Sequence, residues 1–163
     1  MQGHVRGLVA RGIDARAIDL PLKKAEAAVP AFRAIVPDGP GAPGADGSPI
    51  AVGGQSYGGR VASLAAAESG TEYAALVLFS FPLHPPGSPG RAEERTAHFP
   101  AIRCPVLFLS GESDPFAQLD LLRARAALVP DGELVTYPRL GHTLKPVLDD
   151  ALDRVAAFLL ART

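Results

Sequence analysis

The stretch Ile50-Ala51-Val52-Gly53-Gly54-Gln55-Ser56-Tyr57-Gly58-Gly59-Arg60 constrains this chain more than any other. A short apolar run ends in two glycines, Ser56 stands between Gly54 and Gly58, and a helical pattern follows from Val61. Strand, sharp turn and helix are the setting in which a G-x-S-x-G pentapeptide presents a nucleophile. The reason is steric. A serine at such a turn holds an unusual backbone conformation, and glycines two before and two after it let neighbouring backbone pack closely. The hydroxyl then points into a cleft at the C-terminal end of the strand. The N–H of Tyr57, at the helix start, faces the place where an oxyanion would form. The plainer alternative is a glycine-rich turn in which Ser56 merely caps the helix. The pentapeptide alone does not separate the two; the flanking strand and helix favour the nucleophile.

Composition serves mainly to exclude. At 163 residues the chain is most simply one domain, 1–163, long enough to bury a core. Hydrophobic residues make up 47% and charged residues 20%, within the ordinary globular range. A net charge of −1, with Lys and Arg scattered, gives no basic field for nucleic acid or an anionic membrane. The single cysteine, Cys104, excludes an intramolecular disulfide and a multi-cysteine zinc site, and reads as a small core residue. No His/Cys/Asp/Glu spacing suggests a metal. Gly3, His4 and Arg6 interrupt the apolar stretch a signal peptide needs, and no run reaches membrane-span length. The expectation is a cytoplasmic protein.

Along the chain, apolar spacing predicts a helix over residues 2–11 with Gly12 as its C-cap, and a strand over 13–20 closed by Pro21. A second helix covers 23–36, interrupted at Pro30. Residues 37–49 read as a Pro/Gly/Asp surface loop; no G-K-[ST] follows its glycines, which argues against a phosphate cradle. After the Ser56 turn come a helix over 61–69, a fully buried strand over 74–79, a proline-rich excursion over 81–100 and a buried strand over 106–110. A helix over 116–129, a strand over 133–137 and a terminal helix over 146–161 complete the order. Alternating strands and helices predict an α/β fold: three layers, a mostly parallel sheet of about five strands, and helices on both faces.

In such a sheet, functional groups belong at the C-terminal strand ends. Gly111-Glu112-Ser113-Asp114-Pro115-Phe116 follows one strand, and Pro138-Arg139-Leu140-Gly141-His142-Thr143 follows the next. Ser56, Asp114 and His142 could therefore meet as nucleophile, acid and base, with His142 taking the serine proton and Asp114 fixing the imidazole tautomer. The plainer readings are a surface-loop histidine and an aspartate that caps a helix ahead of Pro115. Glu112 is the runner-up acid. His84 is a candidate for substrate contact if its loop overhangs the cleft; an exposed loop residue is the plainer reading.

Three stretches carry a family resemblance: Gly53-Gly54-Gln55-Ser56-Tyr57-Gly58-Gly59-Arg60, Phe81-Pro82-Leu83-His84-Pro85-Pro86-Gly87, and Leu107-Phe108-Leu109-Ser110-Gly111-Glu112-Ser113-Asp114-Pro115-Phe116. The chain resembles the small α/β-hydrolases grouped with dienelactone hydrolases, over essentially its whole length. The resemblance implies a Ser56–His142–Asp114 triad, an oxyanion donor at Tyr57, no cofactor and a small-molecule acyl substrate. Because a dienelactone hydrolase proper has a cysteine nucleophile, the lactone reaction itself is not implied. The resemblance also implies further N-terminal strands, one ending in a His-Gly loop that supplies a second oxyanion N–H. That strand would normally lie between residues 13–20 and the strand at Ile50. The expectation is an N-terminally truncated domain, or direct pairing of these two strands. A serine hydrolase is the first reading. A catalytically silent domain serving protein association, homo-oligomerisation included, is the second.

Overall fold

The computed structural model describes residues 2–36 and 48–162. The expected loop at 37–49, and with it the phosphate-cradle question, lies largely outside the described residues. Helix α1 (Gln2–Val9) ends at Gly12, whose φ of 81° suits the glycine cap. Helix α2 (Ala25–Ile35) continues past Pro30, so the expected interruption is absent. Strand β1 (Ala51–Gln55), helix α3 (Tyr57–Ala66) and strand β2 (Ala75–Phe79) follow. Helix α3 begins directly after Ser56, four residues earlier than the apolar pattern indicates. Helix α4 (Ala92–Thr96), strand β3 (Val106–Gly111), helix α5 (Leu119–Ala126), strand β4 (Gly132–Tyr137) and helix α6 (Leu148–Leu160) complete the order.

Among the described residues the sheet has four strands in the order β1-β2-β3-β4, all parallel. The register pairs Gln55 with Phe79, Phe79 with Leu109 and Gly111 with Tyr137. All strand ends therefore finish at one edge, and the loops after β1, β3 and β4 emerge side by side.

Side chains alternate across this sheet into two cores. Leu76, Leu78, Val106 and Phe108 pack with α2, α3 and α5 on one face. Ala75, Val77, Phe79, Leu107 and Leu109 pack with α6 on the other. This is why β2 and β3 read as unbroken apolar runs: both faces of each strand are covered. The excursion over 81–100 is not a loose surface loop. Phe81, Leu83 and Phe99 are fully buried in the first core, and short 3₁₀ turns at Pro89–Arg91 and Phe99–Ala101 flank α4.

The expected strand over residues 13–20 is not formed. Ile13, Ala15, Ile18 and Leu20 turn half-buried sides inward, so the alternation is real, but the segment joins no ladder. Period-two patterning reports which side of an extended chain faces the core; it does not supply a neighbour with which to pair. Between this segment and the outer edge of β1 lies a cavity of about 920 Å³, lined by Ile18, Leu20, Leu22, Val36, Ile50 and Val52 among others. Among the described residues the sheet of about five strands is thus one of four, and direct pairing of the 13–20 segment with β1 does not occur.

Candidate active site

The turn after β1 holds Ser56 at φ 50° and ψ −114°, a conformation that L-residues rarely adopt. What permits it is close backbone contact between Gly54 and Gly59. A Cβ on Gly54 would come 2.6 Å from the carbonyl carbon of Gly58 and 2.7 Å from the nitrogen of Gly59, and one on Gly59 would come 2.7 Å from the oxygen of Gly54. Gly58 has open space where its Cβ would be. Of the two glycines expected to matter, the one before the serine does, and the one two after it does not; the third after takes its place. Tyr57 stands at the first position of α3, where the backbone N–H has no partner in the preceding turn of helix. Its phenol donates to the carbonyl of Pro21 at 2.8 Å, tying the start of α3 to the segment across the cavity.

The loops after β3 and β4 bring Asp114 and His142 to Ser56. Ser56 Oγ lies 2.8 Å from His142 Nε2, and His142 Nδ1 lies 2.8 Å from Asp114 Oδ2. The carboxylate can only accept, so Nδ1 carries the proton, which leaves Nε2 free to accept from the serine hydroxyl. The Asp114 side chain is fully buried, whereas that of His142 remains 27% exposed. Asp114 Oδ1 accepts the N–H of Phe116 at 2.8 Å, so both carboxylate oxygens are engaged. The two loops are locked together: Ser113 N–H donates to Leu140 O at 2.8 Å, and Glu112 N–H donates to Tyr137 O at 3.0 Å. At Gly111 a side chain would run into the carbonyls of Leu140 and Gly141, so the acid and histidine loops touch backbone to backbone.

Glu112 does not compete for the histidine. Its Oε1 accepts from Thr136 Oγ1 at 2.8 Å, on the β4 side of the loop. His84 does not overhang a cleft: it is 4% exposed, and both ring nitrogens are hydrogen-bonded within the protein. The expectation of substrate contact there is corrected. Its neighbours Phe81 and Leu83 bury the loop, and the histidine follows them inside. Cys104 lies against the core as expected, and burial pushes its thiol up to about 11.

Phe116 was not singled out by the sequence, yet its ring lies 4.5 Å from that of His142, centroid to centroid. A large apolar residue directly behind the Asp-Pro pair, in a loop otherwise polar, was the available signal. No cluster of three or more His, Cys, Asp or Glu side chains that could hold a metal ion occurs among the described residues. No described helix is long and apolar enough to cross a membrane.

A parallel sheet between helical layers, with a serine on a sharp strand-to-helix turn and a histidine-carboxylate pair on later loops, defines a hydrolase-type architecture. The sequence model of the family described as "Alpha/beta hydrolase domain" matches residues 20–159, and the chain belongs to that family. Among solved structures it is similar to a monoacylglycerol lipase from Paleococcus ferrophilus, with a TM-score of 0.79 at 13% identity over 99% of this chain and 88% of that one. A thermophilic esterase from Thermogutta terrifontis has a TM-score of 0.58 at 18% identity, over 89% of this chain and 74% of the other. A dienelactone hydrolase from Anabaena variabilis has a TM-score of 0.57 at 19% identity, over 72% and 51%. At these identities the likeness is one of fold. No curated protein sequence matches.

Proposed function

We propose that this α/β-hydrolase is a serine hydrolase acting on a small ester, thioester or related acyl compound, with Ser56, His142 and Asp114 as its catalytic triad. The observation that carries the reading is the continuous relay of two 2.8 Å contacts from Ser56 Oγ through His142 to Asp114. Ser56 Oγ attacks the acyl carbon while its proton passes to His142 Nε2. The Tyr57 N–H, at the start of α3, stabilises the oxygen that becomes negative. His142 then gives the proton to the departing alcohol or thiol, leaving an acyl-Ser56 ester. Water, deprotonated by His142, cleaves that ester and restores the serine. Asp114 stays ionised and steadies the imidazolium throughout.

The test is turnover of short p-nitrophenyl esters by the wild type, Ser56→Ala and His142→Ala, each checked for folding by circular dichroism. The reading expects both variants to lose activity with the fold intact. Unchanged activity in either would sink it.

A second reading, association through the sheet edge, is favoured by a separate observation. Among the described residues β1 is an edge strand, beside a cavity of about 920 Å³, and Leu22 on its wall is 99% exposed. Size-exclusion chromatography showing a strict monomer that turns over ester would count against association as the main role.

A further inference from the structure

The segment Pro82-Leu83-His84-Pro85-Pro86 carries the family resemblance, yet the chemistry above makes no use of it. We propose that His84 is a positioning residue of the Ser56 site: its imidazole staples the loop after β2 to the loop carrying Asp114. The proposal rests on reading Ser56, His142 and Asp114 as the hydrolytic relay.

Of three hydrogen bonds at His84, the one from Gln118 N–H to the ring is the imidazole's tie between the loops; the main-chain N–H makes a second tie, and Nδ1 orients the ring from within its own loop. His84 N–H donates to Phe116 O at 3.1 Å, Gln118 N–H donates to His84 Nε2 at 3.2 Å, and His84 Nδ1 donates to Pro85 O at 2.9 Å. A main-chain N–H can only donate and a carbonyl can only accept, so these partners fix one neutral tautomer. The segment they grip is short. Within it Phe116 N–H donates to Asp114 Oδ1 at 2.8 Å, Ala117 N–H donates to Asp114 O at 3.1 Å, and the Phe116 ring lies against His142. Asp114 therefore has His142 on one oxygen and the stapled segment on the other. At 4% exposure His84 is shielded from water that would otherwise compete for these bonds. The 114–118 segment precedes α5 and contains no regular helix or strand of its own, so the staple supplies a tie that secondary structure does not.

Two substitutions separate the bonds of the ring. His84→Gln can place an amide oxygen where Nε2 accepts from Gln118. His84→Asn can place an amide NH₂ where Nδ1 meets Pro85, but reaches too short for Gln118. A third, Gln118→Pro, removes the donor from the other side at a φ of −51° that suits proline. Each variant is read by thermal unfolding, by kcat and KM on a p-nitrophenyl ester, and by the downfield proton resonance of the His142 Nδ1–H bond to Asp114. His84→Asn and Gln118→Pro are expected to lower kcat by about 10- to 100-fold, the scale of a sub-ångström to 1 Å misplacement, with KM nearly unchanged and the resonance broadened. His84→Gln is expected to restore kcat and the resonance. Wild-type kcat and resonance in a folded His84→Asn or Gln118→Pro, or a folded His84→Gln as impaired as His84→Asn, would overturn the proposal. A wild type that shows the resonance but no turnover would instead overturn the hydrolase reading, and the resonance across the variants would still decide the staple.

Discussion

Gly54 and Gly59 face each other across the turn that carries Ser56, so closely that a Cβ on either would come 2.7 Å from the other's backbone. The serine's backbone at φ 50° depends on that approach. Gly58, inside the pentapeptide, meets nothing within 4 Å. The motif's spacing and its steric need are thus different things here.

The glycines should accordingly separate in a stability series. Gly54→Ala and Gly59→Ala are expected to destabilise the fold by about 1–3 kcal/mol, the usual cost of forcing a methyl group into filled space. Gly58→Ala should stay within about 0.5 kcal/mol of the wild type, as a substitution that meets open space. Urea unfolding midpoints measure this. Equal losses at all three positions would contradict the contact geometry.

Asp114 and Glu112 are told apart by their partners, His142 and Thr136. Asp114→Asn should leave the protein folded and lower kcat by about 10⁴-fold, because an amide in its place favours the wrong imidazole tautomer. Glu112→Gln should change kcat by no more than about twofold, since its partner hydroxyl is outside the relay. Steady-state kinetics on one ester settles the pair. A larger effect at Glu112 than at Asp114 would reassign the acid.

Away from the site, His98 gives the fold a pH dependence of definite sign. Burial lowers it from 6.5 to about 4, with the Arg60 charge acting the same way, and its Nε2 shares a 2.8 Å hydrogen bond with buried Ser63. Between those two values the unfolded chain binds a proton that the folded chain refuses. The contribution is therefore fully present above pH 6.5 and is lost as pH falls toward 4, by at most about 3 kcal/mol. Urea unfolding at pH 7.5 and 4.5 should show a smaller loss in His98→Gln than in the wild type. Parallel losses would refute the assignment.

Much of this was legible in the residues. β2 and β3 are unbroken apolar runs because helices cover both of their faces, and the turn at Ser56 is fixed by glycines that leave it few conformations. The order of Ser56, Asp114 and His142, each after a strand, placed them at one edge once the strands proved parallel. What escaped was context. Residues 13–20 alternate as a strand would, but alternation is silent on whether a neighbour exists. His84 looks exposed because prolines and a polar side chain signal a surface loop. The burial of Phe81 and Leu83, which pulls it inside, is a tertiary effect. Helix α3 starts at Tyr57, before its first apolar residues, because the turn and not the apolar stripe sets its beginning.

The central claim is that Ser56 is an activated nucleophile. The most direct measurement is labelling of the folded protein with a fluorophosphonate, the adduct being mapped by mass spectrometry with Ser56→Ala alongside. The account predicts a phosphonyl group on Ser56 of the wild type and none on the variant. A folded wild type whose Ser56 stays unlabelled would contradict it, and association through the edge of β1 would then become the leading reading.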